Sequence, residues 1–251
     1  QMNYTRAQLD SILDELVPTG FQMAFHCNGD VGFDVVLDAY ARALAKFNLL
    51  GSDHRWRVEH LGAARRDQFE RAAALGVTCS LSPFQYIYWG DLLDGVIFDP
   101  AYGAAWQRVR VAFVAGVTPS YHNVGSVCPP NQLFNVMHTV MRTTTSGAVH
   151  GADQAVTLDQ ALRAITINGA YQLKREHEIG SLAVGKYADF VDLSADIYTV
   201  PAERIVDEVT VLGTWLGGKK IDLDTFVDQV KAIDPTEHQG LTHQLANGKC
   251  C

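Results

Sequence analysis

The sequence predicts an α/β chain built on a parallel sheet and followed by a small β-rich unit. Strand-like and helical runs alternate with short connectors over the first two-thirds of the chain. Polar residues, His26, His60 and His122, fall at the C-terminal ends of strand-like runs. After residue 130 the texture changes, first to helices and then to turn-rich β segments. Strand and helix in alternation is the pattern of right-handed crossovers in a parallel sheet. In a parallel barrel the C-terminal strand ends form the functional face. Four strand-like runs cannot close a barrel, which takes about eight, so the pattern predicts half of one.

Each element has a local reason. Leu9, Ile12, Leu13 and Leu16 have helical spacing over residues 5–17, closed by Pro18-Thr19-Gly20. Phe21 to Phe25 reads as a buried strand ending at His26. Residues 32–47 form an amphipathic helix with Val35, Val36, Ala39, Ala43 and Phe47 on one face. Arg55 to Glu59 is a second strand, ending at His60; Arg66 to Leu75 is a helix, closed by Gly76. Val77 to Leu81 is a third strand, leading into an aromatic loop from Phe84 to Trp89. Tyr102 to Ala115 reads as helix, and Val117 to Tyr121 as a fourth strand running into His122-Asn123. Leu133–Thr143 and Leu158–Leu173 read as helices, the second capped by Thr157 with Gln160 three residues on. Ile179 to Ile221 is β-rich, and a polar tail follows. The expected organisation is a partial barrel over 1–175, a β-rich segment over 176–225 and the tail over 226–251.

Composition narrows the function classes. A chain of 251 residues buries a substantial core. Its net charge of −8, without a dense Lys/Arg cluster, disfavours nucleic acid and anionic membrane surfaces as partners. No apolar run approaches the roughly 20 residues that span a bilayer. The start, Gln1-Met2-Asn3-Tyr4, lacks the basic and apolar regions of a signal peptide and suggests a segment of a longer product. Cys27, Cys79 and Cys128 lie in or beside apolar runs and read as buried thiols, and Cys250-Cys251 ends the tail. Five cysteines so scattered make no disulfide scaffold, and cytoplasmic residence is the default.

Two signals carry chemistry. His26 and His60 stand at the ends of successive strands, where neutral imidazoles from neighbouring strands point into one mouth. The residues alone balance this between a structural pair and a metal site. The second signal is Ile179-Gly180-Ser181-Leu182-Ala183-Val184-Gly185-Lys186-Tyr187-Ala188-Asp189-Phe190, in which Gly180 and Gly185 supply special backbone angles and Asp189 anchors a turn. Ser181 has no base pattern near it that would make it a nucleophile. Arg142 and Lys174 read as helix-surface charges.

With that motif, with Thr166-Ile167-Asn168-Gly169-Ala170, and with the strand ends at His26-x-x-Gly29-Asp30, Arg57-Val58-Glu59-His60 and His122-Asn123-Val124-Gly125-Ser126-Val127, the sequence resembles the amidohydrolase superfamily. It is most similar to amidohydrolase family 3, the branch holding N-substituted formamide deformylases. The resemblance implies the C-terminal half, strands five to eight, of a (β/α)₈ barrel, with part of a small composite β-domain. It implies hydrolysis of a small amide or N-substituted formamide by a water activated on Zn²⁺ or another divalent metal. It makes His26 and His60 metal ligands, and it places His122 beside the substrate. Phe84, Tyr86 and Trp89 would wall the substrate pocket, or equally pack against the barrel rim. Asp30 would orient the site, or equally cap its own turn.

Two departures qualify those expectations. The family's proton-accepting aspartate falls on Val124, and valine accepts no proton, a loss of roughly 10²–10⁴ in rate. The first-strand His-x-His and the fourth-strand ligand would lie upstream of Gln1. The sequence therefore allows two readings: half of a hydrolase completed in cis upstream or by another chain, or a non-catalytic pseudoenzyme that keeps the fold to bind a ligand or partner. Unpaired sheet edges predict a homo-oligomer. A flavodoxin-like phosphate site fails for want of a Gly-rich loop after the first strand.

Overall fold

A computed structural model describes residues 3–125 and 127–233. Helix α1 (Arg6–Leu16) opens with a capping box between Thr5 and Gln8 and buries Leu9 and Leu13 against α2 (Asp30–Lys46). Between them the first strand, β1 (Ala24–Cys27), enters a parallel sheet completed by β2 (Arg57–His60), β3 (Thr78–Leu81) and β4 (Ser120–Tyr121). The strands lie in sequence order, so each connection crosses over one face of the sheet. On that face Val58, Cys79 and Leu81 are fully buried in one core with Phe33, Leu37, Tyr40 and Phe69. The opposite face carries His26, Glu59, Ser80 and Ser120 at paired positions across the four strands.

Helix α3 (Arg66–Ala74) forms as predicted. The segment expected as an aromatic loop is instead α4 (Phe84–Leu93). Phe84, Gln85, Tyr86 and Ile87 of its first turn are all buried, which erases the amphipathic period by which a surface helix is recognised. The single helix expected over 102–115 is two: α5 (Pro100–Gly103) and α6 (Val109–Ala115). Gln107, with φ 55°, interrupts it. The fourth strand is shorter than expected, because Thr118 is left-handed (φ 51°) and Pro119 has no N–H to donate.

Helix α7 (Gln132–Met141) precedes α8 (Leu158–Ala164) and α9 (Ile167–Gln172), which replace one expected helix. The Thr157–Gln160 capping box is present. Helix α9 closes the N-terminal end of the sheet: the Gln172 amide donates to the Cys79 and Thr118 carbonyls, and Ser120 donates to its oxygen. A three-stranded antiparallel sheet follows, built of β5 (Phe190–Leu193), β6 (Val211–Leu216) and β7 (Lys219–Lys220), with the short α10 (Ile205–Glu208) between β5 and β6. Phe190 stacks on its ladder partner Trp215 at 4.8 Å. Asp189 accepts the Gly217 N–H at 2.7 Å, the turn anchor expected of it. Gly180 sits at φ 85° where a Cβ would lie 2.6 Å from that of Ala170, so both angle and space demand glycine. The first part of the expected polar tail is α11 (Leu223–Ile233), and Asp234 onward lies outside the described residues.

Candidate active site

Three imidazoles meet at the C-terminal ends of the sheet. The His26 and His60 ring centroids are 4.4 Å apart, and those of His60 and His122 are 4.6 Å apart. His122 Nε2 lies 3.1 Å from His60 Nδ1, and its Nδ1 lies 2.8 Å from Ser80 Oγ and 3.7 Å from a Glu59 oxygen. Glu59 is itself bound by Arg57. Arg57, Glu59, His60, Ser80 and His122 line a cleft of about 400 Å³, together with Val124 and Gln172.

His122 reaches the cleft by ordinary strand alternation, two residues after Ser120, and His26 lies on the same face of the sheet as its ladder partner Glu59. His60 does not follow that alternation. In β2 the cleft-facing positions are Arg57 and Glu59, so regular backbone would turn His60 into the core. A left-handed φ of 74° at His60, followed by 58° at Leu61, swings the ring back into the cleft. Left-handed backbone costs an L-residue roughly 1–2 kcal/mol.

Burial governs the electrostatics. It pushes His60 down to about 4, with His122 and His26 adding to the effect and Glu59 opposing it. Burial also holds His122 below the ordinary histidine value, against the pull of Glu59. Both rings are therefore neutral at pH 7. They can accept or donate single hydrogen bonds but carry no charge toward a bound molecule.

The profile of the Amidohydrolase family matches residues 1–221 of this chain. The chain belongs to the amidohydrolase family. N-substituted formamide deformylase of Arthrobacter pascens is 30% identical over 218 residues, covering 86% of this chain and 39% of that protein. Protein LONG AFTER FAR-RED 3 of Arabidopsis thaliana is 27% identical over 212 residues, 81% of this chain and 34% of its own length. The amidohydrolase chain thus spans well under half the length of these relatives. A solved structure of an uncharacterized metal-dependent hydrolase from Pyrococcus horikoshii superposes with a TM-score of 0.66 at 24% identity, over 80% of this chain and 40% of that one. An adenosine deaminase from Xanthomonas campestris with bound zinc gives a TM-score of 0.59 at 18% identity, over 91% and 53% of the two chains. At such identities the likeness is one of fold, and it makes the four-stranded sheet part of an amidohydrolase barrel, as expected.

Amidohydrolases generally use divalent metals, so the donors in this cleft matter. Among the described residues no group of three or more His, Cys, Asp and Glu side chains is disposed to hold a metal ion. His60 Nδ1 and His122 Nε2 face one another at 3.1 Å, and the Val124 side chain offers no donor atom. Structural zinc sites take four protein ligands and catalytic ones three. The residues of this amidohydrolase segment do not by themselves fit the ion.

The expected site residues divide into two groups. His26, His60 and His122 converge, and Val124 stands with His60 and His122 in the cleft wall. Asn123 turns away, its oxygen taken by Gln132 and Asn135. Phe84 and Tyr86 are buried, Trp89 is exposed with its ring edge-on to Phe84, and none of the three lines the cleft. Asp30 opens α2, where it accepts its neighbour's N–H and the Arg65 guanidinium; none of its described hydrogen bonds reaches an imidazole. Lys174 is exposed, as read. Arg142 is not the surface charge expected: it is 1% exposed, at φ 53°, and donates to the carbonyls of Ala104, Trp106, Gln107 and His150. Its guanidinium lies 3.6 Å from the centre of the Tyr86 ring. Glu59 and Ser80 were missed as site residues, although polar groups at alternate positions of buried strands are the signal that marks them.

Proposed function

We propose that this chain is the C-terminal half of an amidohydrolase acting on C–N bonds of small amides or N-substituted formamides, and that it does not turn over alone. The carrying observation is the meeting of three imidazoles, those of His26, His60 and His122, at the strand ends beside a cleft that His60 and His122 line. An N-terminal barrel half, in cis upstream or on another chain, would bring the remaining ligands for Zn²⁺ or another divalent ion to His26 and His60. In this reading Glu59 and Ser80 orient His122, and His122 presents Nε2 toward His60 rather than toward open solvent. The substrate enters over Val124, an apolar surface where the branch has a carboxylate.

Val124 also favours a second reading, a pseudoenzyme that keeps the cleft to bind a ligand. Elemental analysis of the purified chain and of Val124→Asp separates the two, run beside an assay on N-substituted formamides. The expected result is substoichiometric metal and no hydrolysis in both. One tightly held zinc per wild-type chain, with turnover, would show that the segment completes its own site and would overturn the proposal. Hydrolysis when the wild-type chain is combined with an N-terminal barrel half supports the enzyme reading, whereas hydrolysis that also needs Val124→Asp supports the pseudoenzyme. Ligand binding without hydrolysis in that same combination supports the pseudoenzyme.

A further inference from the structure

We propose that Gln107 is the positioning residue for His60: it fixes the left-handed turn that aims the imidazole into the cleft, without itself touching substrate. Two consecutive left-handed residues other than glycine persist only where their surroundings over-determine them. The ladder neighbours of His60, Cys27 and Leu81, lie in the core, so the ring has an alternative destination.

Gln107 is fully buried and grips the turn from both ends. Its N–H donates to the Gly62 carbonyl at 2.8 Å, and its side-chain amide donates to the His60 carbonyl at 3.0 Å. The same amide reaches Ser82 Oγ at 3.1 Å, and its oxygen accepts the Ser82 N–H at 3.3 Å. Ser82 Oγ in turn lies 3.3 Å from His60 Nδ1. Gln107 therefore holds both the backbone of His60 and the hydroxyl that touches its ring. Its own carbonyl is held by Arg142 at 3.2 Å. The neighbouring Trp106 indole covers Gly62, where a Cβ would fall 2.5 Å from the ring. The side-chain amide also reaches Gln85 Oε1 at 3.3 Å and the carbonyl accepts the Val109 N–H at 2.7 Å, so the residue is tied to this turn, to the end of β3, to α4 and to the start of α6.

The inference deepens the reading of the cleft as the site, yet the two fail separately, because its test reads ring geometry and not turnover. In the wild-type chain labelled with ¹⁵N, the Gln107 side-chain amide protons should show nuclear Overhauser contacts to the His60 Hα. Gln107→Met keeps length but removes donor and acceptor, and Gln107→Glu keeps the acceptor for Ser82 and removes the donor. Both should shift the His60 ring nitrogen signals and abolish the His60–His122 ring contact, while the signals of His54 and His138 stay in place. A general packing role would instead lower stability with the His60 signals unmoved, and that outcome overturns the proposal. Should neither variant fold, the wild-type contact decides: its absence sinks the idea.

Discussion

At His150 both ring nitrogens face carboxylates, Nδ1 at 2.6 Å from Asp94 and Nε2 at 2.8 Å from Asp91. A ring bonded to two carboxylates must donate from both nitrogens and is held as the imidazolium. Burial works against that charge, but Asp94 and Asp91 outweigh it and raise the pKa. Because the folded value stands above the unfolded one of about 6.5, the stabilisation is complete below about pH 6.5 and disappears as pH rises through the folded value. The melting-temperature advantage of wild type over His150→Gln should therefore be level in mild acid and shrink toward alkaline pH; an advantage independent of pH would remove the charge from this account. His26, His60 and His122 were legible as a group, since residue type and strand end together pointed to one mouth. Arg142 was not, because its partners are backbone carbonyls from 8 to 38 positions away and leave no mark in side-chain identity. Burial lowers it to about 10, so it remains charged at neutral pH.

At the scale of elements, punctuation was read well where it is chemical and poorly where it is conformational. Thr157 and Gln160 mark the start of α8 in the sequence and bond reciprocally in the structure, at 3.2 Å for the Gln160 N–H and 3.0 Å for the Thr157 N–H. Thr157→Ala should destabilise the chain by about 1 kcal/mol, measured as a shift in urea midpoint at constant slope. No change would mean that packing of α8 against α7 sets its start. The breaks at Gln107 and Thr118 were invisible, because glutamine and threonine carry no preference for the left-handed region they occupy. Helix α4 escaped notice for the opposite reason: its aromatic residues resemble a pocket loop in composition, but Phe84 and Tyr86 are packed as core.

For the whole molecule, an open parallel sheet is an unusual end state. Strands β1 and β4 are the outer strands of a sheet whose barrel relatives continue beyond them, and Ala24 and His26 on the cleft face of β1 are exposed. Outer strands present a row of backbone donors and acceptors that invite pairing with another chain. The isolated chain should therefore associate in a concentration-dependent way in sedimentation velocity, and addition of an N-terminal barrel half should suppress this. A strictly monomeric chain at high concentration would show that the edges are blunted by something other than pairing. Among the described residues no helix is long and apolar enough to cross a membrane.

Alternation of strand and helix, the capping box, the Asp189 turn anchor and the placing of three histidines on one rim were all readable along the chain. Each depends on residues near one another in sequence or on a repeat of known period. The aim of His60, the burial of Arg142 and the grip of Gln107 were not readable. Gln107 meets His60 across 47 positions, and such contacts exist only once the strands have paired and their end loops have packed. A left-handed backbone angle is likewise settled by the neighbours that reward it, not by the residue that adopts it.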